Sequence, residues 1–257
     1  AREVLRKFGI DRPIELTTFS DIPAGTGLGS SSSFCVGLVN AIHALSGDRI
    51  TKSSLASEAA EIELDILRRD MGKQDHFAAA YGSFNVYTFN ADETVWVEPV
   101  YYDPNVVEAL NKSLMLFYMG TQRNASDVLR AQAEATAEKE DVLTAMQEMV
   151  DPMVEILSGR GDLADVGPML HESWLLKRSV TDQISNESID HVYRTAMEAG
   201  SSGGKLAGAG GGGFLVLFVA PDRQAAVSEA LAGMSSIRPG FDTAGSRITY
   251  YEPARLT

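Results

Sequence analysis

Ile22-Pro23-Ala24-Gly25-Thr26-Gly27-Leu28-Gly29-Ser30-Ser31-Ser32-Ser33 runs without a break into the apolar stretch Phe34 to Ile42. Three alternating glycines let a backbone turn tightly and approach a ligand with no side chain in the way. The apolar stretch is long enough for a helix, and the spacing predicts one over about Ser30 to Leu45. Serine is a favoured helix N-cap, so the helix is expected to begin within the serine run. Its first N–H groups and the positive end of its dipole then face the glycine loop and make an anion site. The serine hydroxyls add donors for phosphate or a ligand for Mg²⁺. A Gly/Ser connector is the competing reading, but a flexible linker does not lead straight into an apolar helix. A Walker A loop would end in Gly-Lys-Ser/Thr and has no counterpart here. The dinucleotide fingerprint requires glycine where Ser30 stands.

Around this segment, composition sets the limits. The chain has 257 residues, 44% of them hydrophobic, enough for one large or two small cores. A net charge of −13 argues against a nucleic-acid or anionic-membrane surface, and an anionic substrate must be captured by local donors. The single cysteine, Cys35, lies within the apolar run and reads as a small buried hydrophobe. A disulfide framework is thereby excluded, and a reducing, cytoplasmic setting is expected. No stretch has the length and apolarity of a membrane span, and the four histidines lack zinc-type spacing.

Helices are expected at Arg2 to Phe8, from Ser53 or Ser54 (as cap) to about Arg69, and over Leu163 to Val180, Ser188 to Ala199 and Asp222 to Met234. A longer helical stretch, Ala125 to Ser158, should break near Asp151-Pro152. Ile14 to Phe19, Phe84 to Phe89, Thr94 to Val100, Lys112 to Tyr118, Phe214 to Val219 and Ser246 to Tyr251 read as strands. Helices and strands without regular βα alternation indicate an α+β architecture.

Two further segments carry chemistry. One is Gly72-Lys73-Gln74-Asp75-His76-Phe77-Ala78-Ala79-Ala80-Tyr81-Gly82. The other is Gly204-Lys205-Leu206-Ala207-Gly208-Ala209-Gly210-Gly211-Gly212-Gly213. The second contains G-x-G-x-x-G, but a strand follows it where a dinucleotide site would open a helix. Read alone, Asp75 is an N-cap or first-turn charge, Glu63 one more charge on a solvated helix, and Lys73 equally a surface lysine or a cation that stabilises transferring phosphate or lowers the Asp75 pKa.

Together with Pro23 to Ser31, these segments resemble, in order, the three motifs of the GHMP kinases. Gly-Lys-Gln-Asp, with His171 to Arg178, is most similar to heptose-7-phosphate kinases and fucokinase-type sugar kinases. The resemblance implies an N-terminal phosphate-loop domain over residues 1–104 and a ferredoxin-like C-terminal domain over 105–257. It also implies ATP and Mg²⁺, with Pro23, Gly25, Gly27, Leu28, Gly29, Ser30, Ser31 and Ser32 at the nucleotide. Ser31 and Glu63, twelve residues before Asp75, become the metal ligands. Asp75 becomes the catalytic base, or the group orienting the acceptor hydroxyl, with Lys73 beside it. Gly208, Gly210 and Gly211 are expected at the substrate.

A phosphorylated acceptor needs a second anion site, for which Arg123, Lys177 and Arg178 are the candidates. The expected activity is phosphoryl transfer to a sugar, first of all to the anomeric hydroxyl of a heptose 7-phosphate. A fucokinase-like or other small-molecule kinase, or a non-catalytic binding fragment, stands as the alternative, and a homo-oligomer is left open. Set against the family pattern, the N-terminal segment bearing the first motif is expected to be missing from this sequence.

Overall fold

A computed structural model describes residues 1–120, 125–136 and 139–252. They form two compact units. One comprises residues 1–24, 29–83 and the chain from Asp242 onward; the other comprises 25–28 and 84–241. The glycine loop therefore divides, with Gly25–Leu28 in the second unit and Gly29 onward in the first.

The first unit is helical. It holds α1 (Arg2–Lys7), α2 (Ser30–Ser46), α3 (Lys52–Glu61) and α4 (Gln74–Tyr81). Val36, Val39 and Ile42 of α2 are buried, as are Leu55, Ala56 and Ala59 of α3 and Phe77 and Ala80 of α4. The small alanines let these three helices pack on one another. Thr51, rather than Ser53 or Ser54, caps α3, its side chain accepting from Ser54 N–H. At its C-terminal end α3 widens into a π turn, Ile62–Ile66.

Ile14 to Phe19 carries no strand, and Phe19 is 94% exposed. An apolar alternation becomes a strand only beside a ladder partner, and none adjoins this segment among the described residues. The strand expected over Ser246 to Tyr251 is likewise absent. There the chain bonds instead to the end of α4, with Ser246 N–H on the Ala79 carbonyl at 2.9 Å.

The second unit contains a hairpin of β1 (Asn85–Phe89) and β2 (Val95–Pro99), paired antiparallel with Tyr87 opposite Val97. Its main sheet has β3 (Leu114–Tyr118), β4 (Gly203–Leu206), β5 (Phe214–Phe218) and β6 (Ser236–Ile237), in the order β4-β5-β3-β6, all antiparallel. Leu116 faces Val216 across the central pair. Both central strands are almost continuously apolar, as strands buried on both faces are. The helices are α5 (Pro104–Ser113), α6 (Ala125–Thr136), α7 (Glu140–Gln147), α8 (Val150–Leu157), α9 (Val166–Val180), α10 (Glu187–Glu198) and α11 (Gln224–Ala230). Lys112 and Ser113 thus end a helix and do not begin a strand. The expected break falls at Glu148 and Met149, between α7 and α8, four and three residues before Pro152, which itself sits in the first turn of α8 where a missing N–H is tolerated.

Trp174, Ile189, Tyr193 and Ala196 pack with Leu206, Leu215 and Leu217 in one core. Helix α9 comes close to β4 because Gly167 and Gly203 meet; a Cβ on Gly203 would strike the Gly167 carbonyl. That approach sets Ser173 and Lys177 of α9 beside Lys205 of β4. No described helix is long and apolar enough to cross a membrane.

Candidate active site

Gly29, with φ of 67°, is the N-cap of α2, so the first helical residue is Ser30 and all four serines belong to the helix. The cap is a left-handed glycine where a serine was expected, and no side chain caps the helix. Ser30 to Ser32 therefore contribute first-turn N–H groups that an α-helix does not bond internally. Ser32 is fully buried, and its Oγ has no hydrogen-bond partner among the described residues.

Ser31 points at Glu63. Its hydroxyl donates to Oε1 at 2.5 Å. Arg69 donates from Nη1 to the same Oε1 at 2.5 Å, and also to the Ser31 hydroxyl. On the other oxygen, Nε2–H of the fully buried His76 donates to Oε2 at 2.9 Å. Glu63 is only 2% exposed. Burial alone would raise its pKa, but the bonds from His76 and Ser31 and the charge of Arg69 outweigh it and hold the carboxyl below its usual range. A cavity of about 320 Å³, lined in part by Ser31, Phe34, Glu63 and Arg69, opens beside the cluster. Cys35 also lines it; burial, then the Glu63 charge, push its thiol up to about 11, so it stays protonated.

The π turn makes this geometry. Arg69 lies six residues after Glu63, and on a regular α-helix that spacing points roughly 240° away. Here the widened turn and a left-handed Arg68 (φ 52°) bring the chain round, with Arg69 N–H on the Glu63 carbonyl at 3.0 Å. Single-turn π bulges frequently occur at functional sites.

Asp75 occupies the first turn of α4, and Lys73 is that helix's N-cap residue. A Cβ built on Gly29 would lie 3.4 Å from the Asp75 Cγ, so the carboxylate sits at the mouth of α2. Burial raises the Asp75 pKa; the His76 charge opposes the shift and the Glu63 charge adds to it.

In the second unit, the remaining loop residues meet the second glycine block. A Cβ on Gly27 would lie 2.5 Å from the Ala207 carbonyl oxygen, and one on Gly208 would lie 2.5 Å from the Gly27 Cα. Phe214 N–H bonds the Thr26 carbonyl at 3.2 Å. Gly210 and Gly211 pack on Ile184, Gly211 N–H reaching its carbonyl at 2.9 Å. Lys177 donates to the Gly208 carbonyl. Arg178 is engaged elsewhere, paired with Asp190 at 2.8 Å and lying over the Trp174 ring. Arg123, with Thr121 and Asn124 beside it, lies outside the described residues.

Residues 1–83 match the family model "GHMP kinases N terminal domain", and residues 145–235 match "GHMP kinases C terminal". The chain belongs to the GHMP kinase superfamily. Its α+β fold is the one seen in that family's solved structures. A D-glycero-alpha-D-manno-heptose 7-phosphate kinase of Campylobacter jejuni is 30% identical over 84% of this chain and 64% of its own length. A bifunctional fucokinase/GDP-fucose pyrophosphorylase of Arabidopsis thaliana is 26% identical over 79% of this chain and 20% of its own length. The chain thus spans less than two thirds of these curated relatives. Among solved structures, a D-glycero-D-manno-heptose 1-phosphate kinase from Bacteriodes thetaiotaomicron superposes with a TM-score of 0.71 at 25% identity, covering 97% of this chain and 72% of that one.

Sequence reasoning missed Arg69 and His76. His76 adjoins Asp75 and could have been found from α4 periodicity, since it and Phe77 begin the buried face. Arg69 had no such signal.

Proposed function

We propose that this chain transfers the γ-phosphate of ATP to a sugar hydroxyl, with the anomeric hydroxyl of a heptose 7-phosphate as the first acceptor to test. The observation that carries the reading is the Asp75 carboxylate lying against Gly29, at the start of a helix whose second residue, Ser31, is bonded to Glu63.

Phosphoryl transfer asks a protein chiefly for positioning and charge stabilisation. The first-turn N–H groups of α2 hold phosphate oxygens. A hydroxyl and an ionised carboxylate within 2.5 Å of each other are a hard-oxygen pair that fits Mg²⁺, which keeps water and phosphate oxygens as its other ligands. Bound there, the ion would neutralise charge on the phosphoryl group. His76 and Arg69 hold Glu63 ionised and fixed for that role. Asp75 accepts the acceptor's proton or orients the hydroxyl; its raised pKa makes it a better base than a solvated aspartate. Lys73, two residues away, supplies positive charge at the same helix start. The 26% identity to the plant fucokinase makes a neutral sugar the second acceptor to test.

The experiment is an ADP-release assay with Mg²⁺ against heptose 7-phosphate, free heptose and fucose, with Asp75→Ala in parallel. Turnover with one acceptor that falls by about 10³-fold in the variant supports the reading. Turnover unaffected by Asp75→Ala would sink the role of Asp75, and no turnover with any acceptor would sink the kinase activity of this chain.

A further inference from the structure

Two lysines meet at the second glycine block, and among the described residues no acid pairs with either. Lys177, in the last turn of α9, donates to the Gly208 carbonyl. Lys205, in β4, donates to the hydroxyl of Ser173 at 3.1 Å, and Ser173 lies four residues before Lys177 on the same helix. No ion pair to either lysine is found among the described residues, although the chain carries 35 acidic side chains. The neighbouring Arg178, by contrast, is paired with Asp190. Burial pushes the Lys177 ammonium down to about 8, with repulsion from Lys205 adding to the shift; burial lowers Lys205 as well. Two like charges withdrawn from water side by side are costly unless a counter-charge arrives. Gly208, which Lys177 holds, is the residue packed on Gly27 of the phosphate loop.

We propose that Lys177, Lys205 and the Ser173 hydroxyl form a binding site for a phosphate monoester dianion. Two ammonium groups match its charge, and the hydroxyl adds a neutral donor. Such a group comes either from a phosphorylated acceptor or from the nucleotide. The choice between them rests on the kinase reading above; the site itself does not.

The test is isothermal titration calorimetry on the whole chain with inorganic phosphate, heptose 7-phosphate, free heptose and ATP as probes. Lys177→Met and Lys205→Met are each expected to weaken phosphate binding at least tenfold while leaving free heptose unaffected. Loss carried over to heptose 7-phosphate alone assigns the acceptor as the source; loss carried over to ATP alone assigns the nucleotide. Unchanged affinity for every phosphorylated probe in both variants overturns the site. So does a wild-type chain that binds none of them. Should a methionine variant fail to fold, ¹⁵N-lysine NMR of the wild type decides. Inorganic phosphate is expected to move the Lys177 titration upward from about 8, and an unmoved titration overturns the proposal. A chain that binds phosphate yet turns over no ATP would sink the kinase reading and leave this site standing.

Discussion

Glu63 is buried and Lys177 half-buried, and the surroundings of the two charges are opposite. Glu63 meets three donors on its two oxygens, from Ser31, Arg69 and His76, and its ionised form is favoured. Lys177 meets a carbonyl and a second lysine, and its ionised form is disfavoured. The first charge is compensated within the fold. The second is left for a ligand to compensate.

Removing the compensated charge should give the largest effect on stability. Glu63→Ala leaves the His76 Nε2–H buried without an acceptor and opens a void beneath Ser31. A loss of about 2–3 kcal/mol is expected from the stranded donor and the cavity together, read by urea unfolding. Glu63→Gln keeps the volume and an acceptor and should lose about half as much. If Glu63→Ala were neutral, the cluster would not be structural and the contrast with Lys177 would collapse.

How far each cluster was legible in the sequence differs for the same physical reasons. Helix α2 and strands β3 and β5 follow from long apolar runs that bury themselves in any context. Residues 14–19 have an equally good alternation, but a strand exists only beside a partner, and periodicity says nothing about partners. Glu63 was picked out through the family pattern, since its own neighbours, Glu61 and Asp65, are exposed and look alike. Arg69 was hidden by the π turn, a one-residue irregularity with no distinct composition. Lys205 stood beside an identified glycine block, yet its proximity to Lys177 depends on the close approach of Gly167 to Gly203, a contact between residues 36 apart.

Titration separates the two clusters next. The Glu63 pKa is depressed below 4.5 in the folded chain, so its contribution is complete above that value and is lost as pH falls through the folded pKa. Lys177 has the reverse linkage. Its folded pKa of about 8 lies below the ordinary 10.5, so the unfolded chain binds more protons between the two values. Stability therefore rises with pH across that window as the penalty is relieved. Lys177→Met should remove most of this alkaline gain and stabilise the chain at neutral pH by about 1–2 kcal/mol. Thermal melts from pH 4 to about 10.5 would show it; a flat alkaline limb in the wild type would contradict the uncompensated lysine pair.

The smallest effect is the one that asks whether the compensated cluster is also the cation site. The Arg69 side chain is 46% exposed, so its pairing with Glu63 is screened and Arg69→Gln should cost under about 1 kcal/mol in stability. Its guanidinium nevertheless donates to the same two oxygens, Ser31 Oγ and Glu63 Oε1, that a divalent cation would use. Removing one positive charge at that distance should strengthen Mn²⁺ binding by about fivefold, measured by electron paramagnetic resonance on the chain without substrates. Glu63→Gln should abolish the same signal. If Arg69→Gln weakened Mn²⁺ binding instead, the guanidinium would be positioning Glu63 for the ion rather than competing with it. The two roles predict opposite signs, so even a small change in affinity decides between them.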